Sequence, residues 1–336
     1  MNIIDKTIIV TATFYFKYAV AILTFSIFFK HCSDGEHDPT VIFYEVTNSI
    51  GHLPGEHGHL FEMPQGAMYH NEYIYTADLS GNRIIRLKSD FTSGEVIGKK
   101  GRGPGEFLGP AFVRKKNDAM YIAEVNNNRI QILNDNNNFR QYIYTNTIIG
   151  QTFGLSPSNT LLLHSWLPDV LIKEYNEYGD TIKSFGTNIS SNPLLNSIMV
   201  ETDNLDNVYI AFIGTPIIRK YNAQRKLVWE NELFDLVGDQ ERIRQSNAED
   251  LRFVSLAFGI HKDNLYLHLG GQTLEEYGGI KVFIFNCSDG EMVGKMVIKI
   301  DKNRSLLGGF SFAPDGTLYF ADLNNAEIVK AKPISR

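Results

Sequence analysis

The chain has 336 residues, of which 43% are hydrophobic and 12% aromatic, and its formal net charge is −6. This apolar content is enough for a sizeable core, and it excludes the composition of a disordered chain. The acidic balance disfavours sequence-independent nucleic-acid binding, which depends on clustered basic residues. P-loop, GxSxG, HExxH and paired CxxC motifs are all missing from the sequence, so no nucleic-acid partner and no cofactor are predicted.

The first thirty residues contain an apolar run from Ile8 to Phe29 that is interrupted by Lys17. Its second half, residues 18–29, has the length of the apolar region of an export signal. The whole run could instead cross a bilayer as one helix, but Lys17 would then lie near the middle at a cost of about 2.5–3.5 kcal/mol. Residues 1–31 are therefore predicted to be a signal peptide or a membrane anchor, and the signal peptide is favoured.

Cys32 lies three residues after this run. The arrangement resembles a bacterial lipoprotein cleavage site, in which the cysteine thiol is acylated. It departs from that pattern because His31, rather than a small residue, precedes the cysteine, and the alternative is an incidental cysteine beside an uncleaved anchor. The following acidic segment, 33–36, resembles the tract that sends some lipoproteins to the cell surface. The resemblance implies lipidation at Cys32, a linker over residues 32–40, and a place in the bacterial cell envelope as an outer-membrane lipoprotein facing the periplasm or the surface.

The remainder of the chain contains a repeat. The segment 73–87 is an apolar run, a Gly/Asn turn, an arginine and a second alternating run, and segment 119–133 repeats it 46 residues later. This is the pattern of a β-hairpin. Weaker copies continue, with marker residues at Tyr75, Tyr121, Leu162, Tyr209, Tyr266 and Tyr319. Six units of this length predict an all-β, six-bladed β-propeller over residues 41–336.

The two ends of the repeat region predict how the propeller closes. After the last hairpin, residues 317–330, too little chain remains for a fourth strand. The segment 41–46 is a spare strand at the other end. It is predicted to complete the last blade, because a closed ring leaves no open sheet edge.

The most regular part of the repeat carries a recognisable signature. The residues 101–107 read GRGPGEF, and they are followed by Pro110, by 121–124 (YIAE) and by 128–130 (NRI). This resembles the NHL repeat, and more broadly the chain resembles exported TolB-like six-bladed propellers. The resemblance implies the fold. It implies little about function, because such propellers serve many functions.

Candidate site residues lie in loops expected on one face of the propeller. His52, His57 and His59 with Glu56 could hold a zinc ion if the loop is extended, and the alternative is a solvated loop. Whether any metal is bound stays open.

Four further residues are ligand-binding candidates. Arg102 and Glu106 lie in the next loop, where the Glu106 carboxylate could instead accept backbone N–H bonds while the following Phe enters the core. Trp166 and Tyr277 could stack on a sugar or a peptide, or belong to solvated insertions. The acid–arginine pairs of the two regular hairpins, Asp78–Arg83 and Glu124–Arg129, are expected to brace their hairpins.

The sequence therefore predicts a membrane-tethered, exported propeller that binds a protein or another envelope component through its loop face. The expected starts of the innermost strands contain no acid, and only His261 lies near such a strand, so catalysis is not evident. The alternative is a metal-dependent hydrolase or lyase working at the propeller channel, and whether the protein is an enzyme stays open.

Overall fold

The computed structural model describes residues 40–52, 59–150, 152–237, 255–270, 279–300 and 309–334. Within these ranges the chain is almost entirely β, with two short 3-10 helices at Pro193–Asn196 and Phe234–Leu236. No helix in the described ranges is long and apolar enough to cross a membrane. The predicted signal or anchor over 1–31, the linker over 32–40 and Cys32 lie outside the described residues.

Four separate sheets, called blades 1 to 4, are antiparallel meanders of four strands each. The described part of the chain begins with β1 (Thr40–Ile50), and blade 1 follows as β2 (Met68–His70), β3 (Tyr73–Asp78), β4 (Arg83–Lys88) and β5 (Gly94–Ile97). A small parallel pair, β6 (Lys99–Lys100) and β7 (Glu106–Phe107), precedes blade 2, which consists of β8 (Pro110–Lys116), β9 (Ala119–Glu124), β10 (Arg129–Asn134) and β11 (Phe139–Ile143). Blade 3 consists of β12 (Gly154–Leu155), β13 (Leu161–Leu167), β14 (Val170–Tyr175) and β15 (Thr181–Phe185). Blade 4 consists of β16 (Ile198–Thr202), β17 (Val208–Phe212), β18 (Ile217–Tyr221) and β19 (Leu227–Glu232).

The remaining strands form one eight-stranded sheet. They are β20 (Ser255–His261), β21 (Asn264–Leu269), β22 (Gly279–Asn286), β23 (Met292–Lys299), β24 (Phe310–Phe312), β25 (Leu318–Asp322) and β26 (Glu327–Pro333). The strand order is β20-β21-β22-β23-β1-β26-β25-β24. The sequence predicted six separate blades, whereas the structure has four separate blades and this sheet, because β1 lies between β23 and β26 and joins the two runs of strands.

The predicted pairing of the two chain ends is present. Strand β1 pairs antiparallel with β26, so that Ser49 lies opposite Val329. The strand is longer than the predicted segment 41–46, and its pairing shifts register between Val46 and Asn48. The N-terminal strand therefore covers the edge that β26 would otherwise expose.

The core lies between neighbouring sheets, because side chains of a strand alternate between its two faces. Leu161 and Leu163 of β13 pack in a cluster with blade 2, whereas Leu162 packs in a cluster with blade 4. Both faces of the middle strands are thus buried, which explains why β9 is buried at all six positions. Cys287 is a free, buried cysteine in such a cluster.

The antiparallel order gives each blade two distinct ends. The connection into the first strand and the turn between the second and third strands lie at one end, and we call this surface the loop face. The turns between the first and second and between the third and fourth strands lie at the other end, which we call the opposite face.

Candidate functional site

The central channel is lined by the first strands of several sheets and contains a cavity of about 120 Å³. Its narrowest contact brings two glycines together: a Cβ on Gly66 would lie 3.1 Å from the Cα of Gly309. Pockets that hold small organic ligands usually have volumes of roughly 300–1,000 Å³. The channel cavity is therefore too small for such a ligand.

An ion pair crosses the channel from blade 2 to blade 4. The Arg114 guanidinium donates through two nitrogens to the two Glu201 carboxylate oxygens, at 2.8 Å each. It also donates to the carbonyls of Phe153 and Val200, at 3.0 and 2.9 Å. Because β12 of blade 3 has only two residues, Arg114 fills the space beside that short strand. The charges satisfy each other, which is the geometry of a structural bidentate pair.

On the loop face of blade 1, the fully buried Asp78 binds the loop that leads into its own blade. Its carboxylate accepts the backbone N–H groups of Glu62 and Met63, with Oδ1 at 3.0 and 2.7 Å. Arg83 donates to the same carboxylate at 3.0 Å and to the carbonyl of Leu60 at 3.0 Å. The predicted bracing role of this pair is confirmed, and the pair fixes the loop as well as the hairpin.

Blade 2 repeats this arrangement with Glu124. The buried carboxylate accepts from Leu108 N–H at 3.0 Å, from Arg129 at 2.7 Å and from Gln131 at 3.0 Å. The Arg129 guanidinium also lies over the Tyr142 ring, 3.9 Å from its centroid. Every buried charge in these two blades has an opposite charge and hydrogen bonds. The buried charges at the loop face of blades 1 and 2 therefore need no partner from another molecule.

The two asparagines at the hairpin turns extend the arrangement to the next blade. Asn82 and Asn128 have φ of 54° and 48°, a left-handed conformation that asparagine tolerates better than most residues. Their side-chain oxygens accept the backbone N–H groups of Gly109 and Ile149, at 2.9 and 2.7 Å. Each turn thereby fastens the loop of the following blade.

Glu106 and Arg102 also have structural roles. The Glu106 carboxylate accepts from Gly103 N–H at 3.0 Å, and Phe107 is fully buried, as the structural alternative predicted. The Gly103 bond, followed by the Lys99 contact, lowers the pKa of Glu106. The side chain of Arg102 is exposed while its carbonyl accepts from Arg129 at 2.8 Å. Both residues lie on the loop face, outside the lining of the channel cavity.

The histidine candidates are only partly described. The rings of His52 and His59 lie with centroids 5.2 Å apart, and both residues are exposed. His57 lies outside the described residues, as does Tyr277. Among the residues the structure does describe, no three metal-binding side chains form a group.

The loop face of blade 3 is built differently. No acid ends β13 as Asp78 and Glu124 end β3 and β9, and the acid of its turn, Asp169, is exposed. The hairpin contains a register shift between His164 and Leu167. Within this bulge Trp166 has φ of 59°, a conformation that is strained for a bulky side chain. Its ring packs against the His164 ring with centroids 4.4 Å apart. A bulge often redirects a side chain near a functional site, and here it turns a half-buried tryptophan onto the loop face.

Four buried polar atoms of this region have no hydrogen-bond partner in the part of the chain that the structure describes. They are His164 Nδ1, Trp166 Nε1, Asn188 Oδ1 and Asn192 Nδ2. We call these residues the blade 3–4 polar cluster. The two asparagines lie in the connection from blade 3 to blade 4, next to the hairpin: Asn188 donates to the Leu167 carbonyl at 2.7 Å, and Asn192 caps the 3-10 helix that contacts β13.

An unpartnered buried polar atom costs roughly 1–3 kcal/mol, so such atoms usually bind water or a ligand. His164 has only 8% of its surface exposed. Burial lowers the pKa of His164 to about 4, so the imidazole is neutral at neutral pH. Thus the polar cluster carries no charge of its own and has unused hydrogen-bonding capacity.

In blade 4, Arg219 pairs with Glu230 and donates to the Thr187 carbonyl of the connection from blade 3. A further ion pair joins blades 3 and 4 on the opposite face. Arg225, in a turn of blade 4, donates to both carboxylate oxygens of Glu174 in blade 3, at 2.9 and 2.7 Å. It also donates to the Asp206 carbonyl at 2.7 Å. These two blades are therefore fastened to each other from the side that faces away from the polar cluster.

Of the predicted candidates, only Trp166 belongs to the polar cluster. Sequence reasoning did not identify His164, Asn188 or Asn192 as site residues. The usable signal was the departure of blade 3 from the repeat, which has Ser165 at the position of Asp78 and Glu124. Blade 3 therefore lacks the buried carboxylate that holds the loops of blades 1 and 2.

Comparison with known proteins supports the fold. A protein from Bacteroides fragilis assigned as exported superposes with a TM-score of 0.58 and 9% identity, covering 88% of this chain and 100% of that one. The WD40 domain of Neurospora crassa Pan2 gives a TM-score of 0.54 with 7% identity over 82% of this chain and 90% of that one. An inactive virginiamycin B lyase from Staphylococcus aureus, solved with quinupristin, gives 0.50 with 14% identity over 80% of each chain. At these identities the likeness establishes a β-propeller fold alone.

No family model matches the chain, and no curated protein is significantly similar to it.

Proposed function

We propose that this protein is a membrane-tethered, exported β-propeller that binds a protein or another envelope component through the loop face of blades 3 and 4. The observation that carries the proposal is the blade 3–4 polar cluster. Beside these buried groups, Leu167 and Leu194 are 46% and 50% exposed and offer an apolar surface to a partner. The loop face of blades 1 and 2 supplies the contrast, because its buried charges already have partners.

The propeller is proposed to have six blades of the NHL or TolB-like type. In support, the order of the eight-stranded sheet divides into β20–β23 and β24–β26 plus β1, two runs of four strands that meet at β23 and β1. Asp78 and Glu124 also hold their loops in the same way, as a true repeat would. On this interpretation the N-terminal strand is the outer strand of the sixth blade.

The channel geometry favours binding over a hydrolase or lyase reaction at the channel. Its cavity of about 120 Å³ is small, and the charges of Arg114 and Glu201 satisfy each other. A catalytic site would need titratable groups that are free to act on a bound substrate.

The tether is proposed on the sequence of the first 32 residues. It is tested by the intact mass of the protein purified from its native membrane. Cleavage before Cys32 with added acyl chains is the expected result. An uncleaved or unacylated chain would overturn the lipoprotein assignment and leave the helical anchor as its replacement.

Binding through the loop face is tested by site-specific photo-cross-linking of the full-length protein in its native membrane. A photo-reactive residue replaces Leu167, which is 46% exposed beside Trp166, or Leu227, which is 52% exposed on the outer strand of blade 4. We expect an adduct from position 167 that disappears in the Trp166→Ala background, and none from position 227. Equal adducts at both positions, or none at position 167, would contradict the proposal.

A further inference from the structure

A cleft lies between blades 2 and 3 on the opposite face and has a volume of about 320 Å³. This volume falls within the range of roughly 300–1,000 Å³ that is usual for the sites of small organic ligands. We call it the blade 2–3 cleft. Because it opens on the other side of the propeller from the loop face, an inference about its ligand goes beyond the proposed function and does not depend on it.

Two contacts between the blades bound the cleft. At the inner end Lys116, the last residue of β8, donates from Nζ to the carbonyl of Ser156. At the outer end the Gln141 side chain of β11 donates to the carbonyl of Glu177 at 3.0 Å. Since the protein makes both contacts by itself, the walls of the cleft are already in place, and a ligand does not have to order them.

The floor of the cleft is apolar apart from one hydroxyl group. Ala119, Tyr121 and Ile132 line it and are only 5%, 7% and 3% exposed. The Tyr121 hydroxyl has no hydrogen-bond partner among the residues that the structure describes. Burial raises the pKa of Tyr121, so the hydroxyl is protonated at neutral pH and is able both to donate and to accept. The floor therefore fits a ligand with an apolar group and a polar group close to it.

The two walls carry one cation and one anion that lack a counter-charge in the described chain. Lys116 is half-buried, and the group to which its ammonium donates is a neutral carbonyl. Burial lowers the pKa of Lys116, an effect that a bound carboxylate would oppose. On the wall formed by blade 3, the Glu177 side chain lines the cleft and is exposed, and its carboxylate makes no ion pair with a described residue.

The other two charged side chains of the lining belong to blade 2 and face each other. Arg140 Nη1 lies 3.8 Å from Asp118 Oδ2, and these side chains are 53% and 71% exposed. The lining thus contains two basic and two acidic side chains in all. An ion of a single sign would meet a like charge on one wall, which disfavours a simple anion or cation.

We propose that the blade 2–3 cleft binds a small zwitterion, namely a free α-amino acid or a dipeptide with an apolar side chain. Its carboxylate pairs with the Lys116 ammonium, its ammonium pairs with the Glu177 carboxylate, and its side chain lies on Ala119 and Ile132. The Tyr121 hydroxyl supplies a hydrogen bond from the floor. Such a molecule combines both charges and an apolar group within the size of the cleft.

The charge requirement is tested by calorimetric titration of the full-length protein with L-leucine and with L-leucyl-L-leucine. The comparison ligands are the N-acetylated and the C-amidated forms of the same two compounds, which each lack one of the two charges. We expect saturable binding of at least one zwitterion. Blocking either end should weaken that binding roughly tenfold or more, because a charged hydrogen bond is lost.

Two substitutions locate the site. Lys116→Met keeps the apolar stem and removes the charge, so affinity should fall roughly tenfold. Glu177→Gln should weaken binding roughly threefold, because an exposed charge contributes less. The matched controls are Lys226→Met and Glu291→Gln, at exposed positions outside the cleft lining, and they should leave affinity unaltered. All four variants should retain the wild-type far-ultraviolet spectrum.

Three results would overturn the inference. Absence of binding by both zwitterions would remove the site, and equal affinity for the blocked forms would show that the two charges are not recognised. Binding that Lys116→Met and Glu177→Gln leave unchanged would place the ligand elsewhere on the protein. Each of these results leaves the cross-link from position 167 as it is, so failure of this inference is distinguishable from failure of loop-face binding.

Discussion

Two regions of the loop face, that of blades 1 and 2 and that of blades 3 and 4, are built differently. At blades 1 and 2, Asp78 and Glu124 bury their carboxylates among backbone N–H groups and arginines. At blades 3 and 4 no carboxylate is buried at the corresponding position; Arg219 pairs with Glu230 instead, and buried atoms of His164 and Trp166 have no partner in the described chain. The same fold can thus present a closed surface or an incomplete one, depending on a few residues after the second strand of a blade.

The comparison also shows how an incomplete surface is kept stable. Blades 3 and 4 retain a buried ion pair, Glu174 with Arg225, but it lies on the opposite face. The side chains of these two residues are only 6% and 3% exposed. Placing the pair there fastens the blades together without occupying the loop face.

The largest effect is expected from Glu124→Ala, which breaks the satisfied half. Removing the carboxylate leaves the buried Arg129 guanidinium without its counter-charge, so the free energy of unfolding should fall by about 3–5 kcal/mol. Urea unfolding followed by circular dichroism measures the change. As a control, Arg140→Ala removes an exposed pair with Asp118, 3.8 Å apart, and should cost less than about 1 kcal/mol. Equal losses in the two variants would show that the buried network is not specially important.

A loss of about 3 kcal/mol is expected from Arg225→Ala, because it leaves the Glu174 carboxylate buried and unpaired. Cross-linking from position 167 in the folded fraction should be unchanged, because the pair lies away from the polar cluster. Unfolding and the cross-linking yield are measured on the same preparation. Weakened binding with unaltered stability would contradict the assignment of this pair as a fastening on the opposite face.

Acid should destabilise the incomplete half through His164. Burial lowers its pKa from 6.5 to about 4, so between these values the unfolded chain binds a proton that the folded chain does not. The contribution of neutral His164 to the free energy of unfolding is complete above pH 6.5. It is lost as the pH falls to about 4, and the total loss is about 3 kcal/mol. His164→Gln should remove this part of the pH dependence in unfolding measurements between pH 7 and 4.

His268 provides a parallel case, because burial also lowers its pKa to about 4. His268→Gln should therefore reduce the pH dependence by a similar amount, and the double variant by the sum. If His164→Gln leaves the slope unchanged while His268→Gln reduces it, the imidazole of His164 is not held neutral by the fold.

The smallest effect is expected from Trp166→Asn. Asparagine tolerates the left-handed backbone, and the substitution removes the unpartnered indole N–H. Both effects oppose the loss of the ring contact, so the free energy of unfolding should change by no more than about 1 kcal/mol. The matched change is Trp229→Asn, at a ring that packs 6.2 Å from Tyr209 against a core cluster and should cost more. Thermal unfolding compares the two. A larger loss at position 166 would identify Trp166 as a packing residue rather than a ligand contact.

The hairpins of the regular blades could be predicted closely from the sequence, because their alternation, turn asparagines and acid–arginine pairs are local patterns. The pairing of β1 with β26 could also be predicted, since a propeller has to cover its last edge. The joining of the final strands into one eight-stranded sheet could not, because it depends on how β23 and β1 approach each other in space. The polar cluster was missed for a related reason: Asn188 reaches the Leu167 carbonyl only through folding, and an unpartnered atom has no sequence signature.

The most direct test of loop-face binding is the ¹⁵N–¹H spectrum of the two indole groups in the full-length protein, recorded with and without the partner that cross-links from position 167. The account predicts that the Trp166 Nε1–H resonance shifts and becomes protected from exchange on binding, while the Trp229 resonance stays in place. Unchanged resonances at saturating ligand, or equal shifts of both, would contradict a binding site at the loop face of blades 3 and 4.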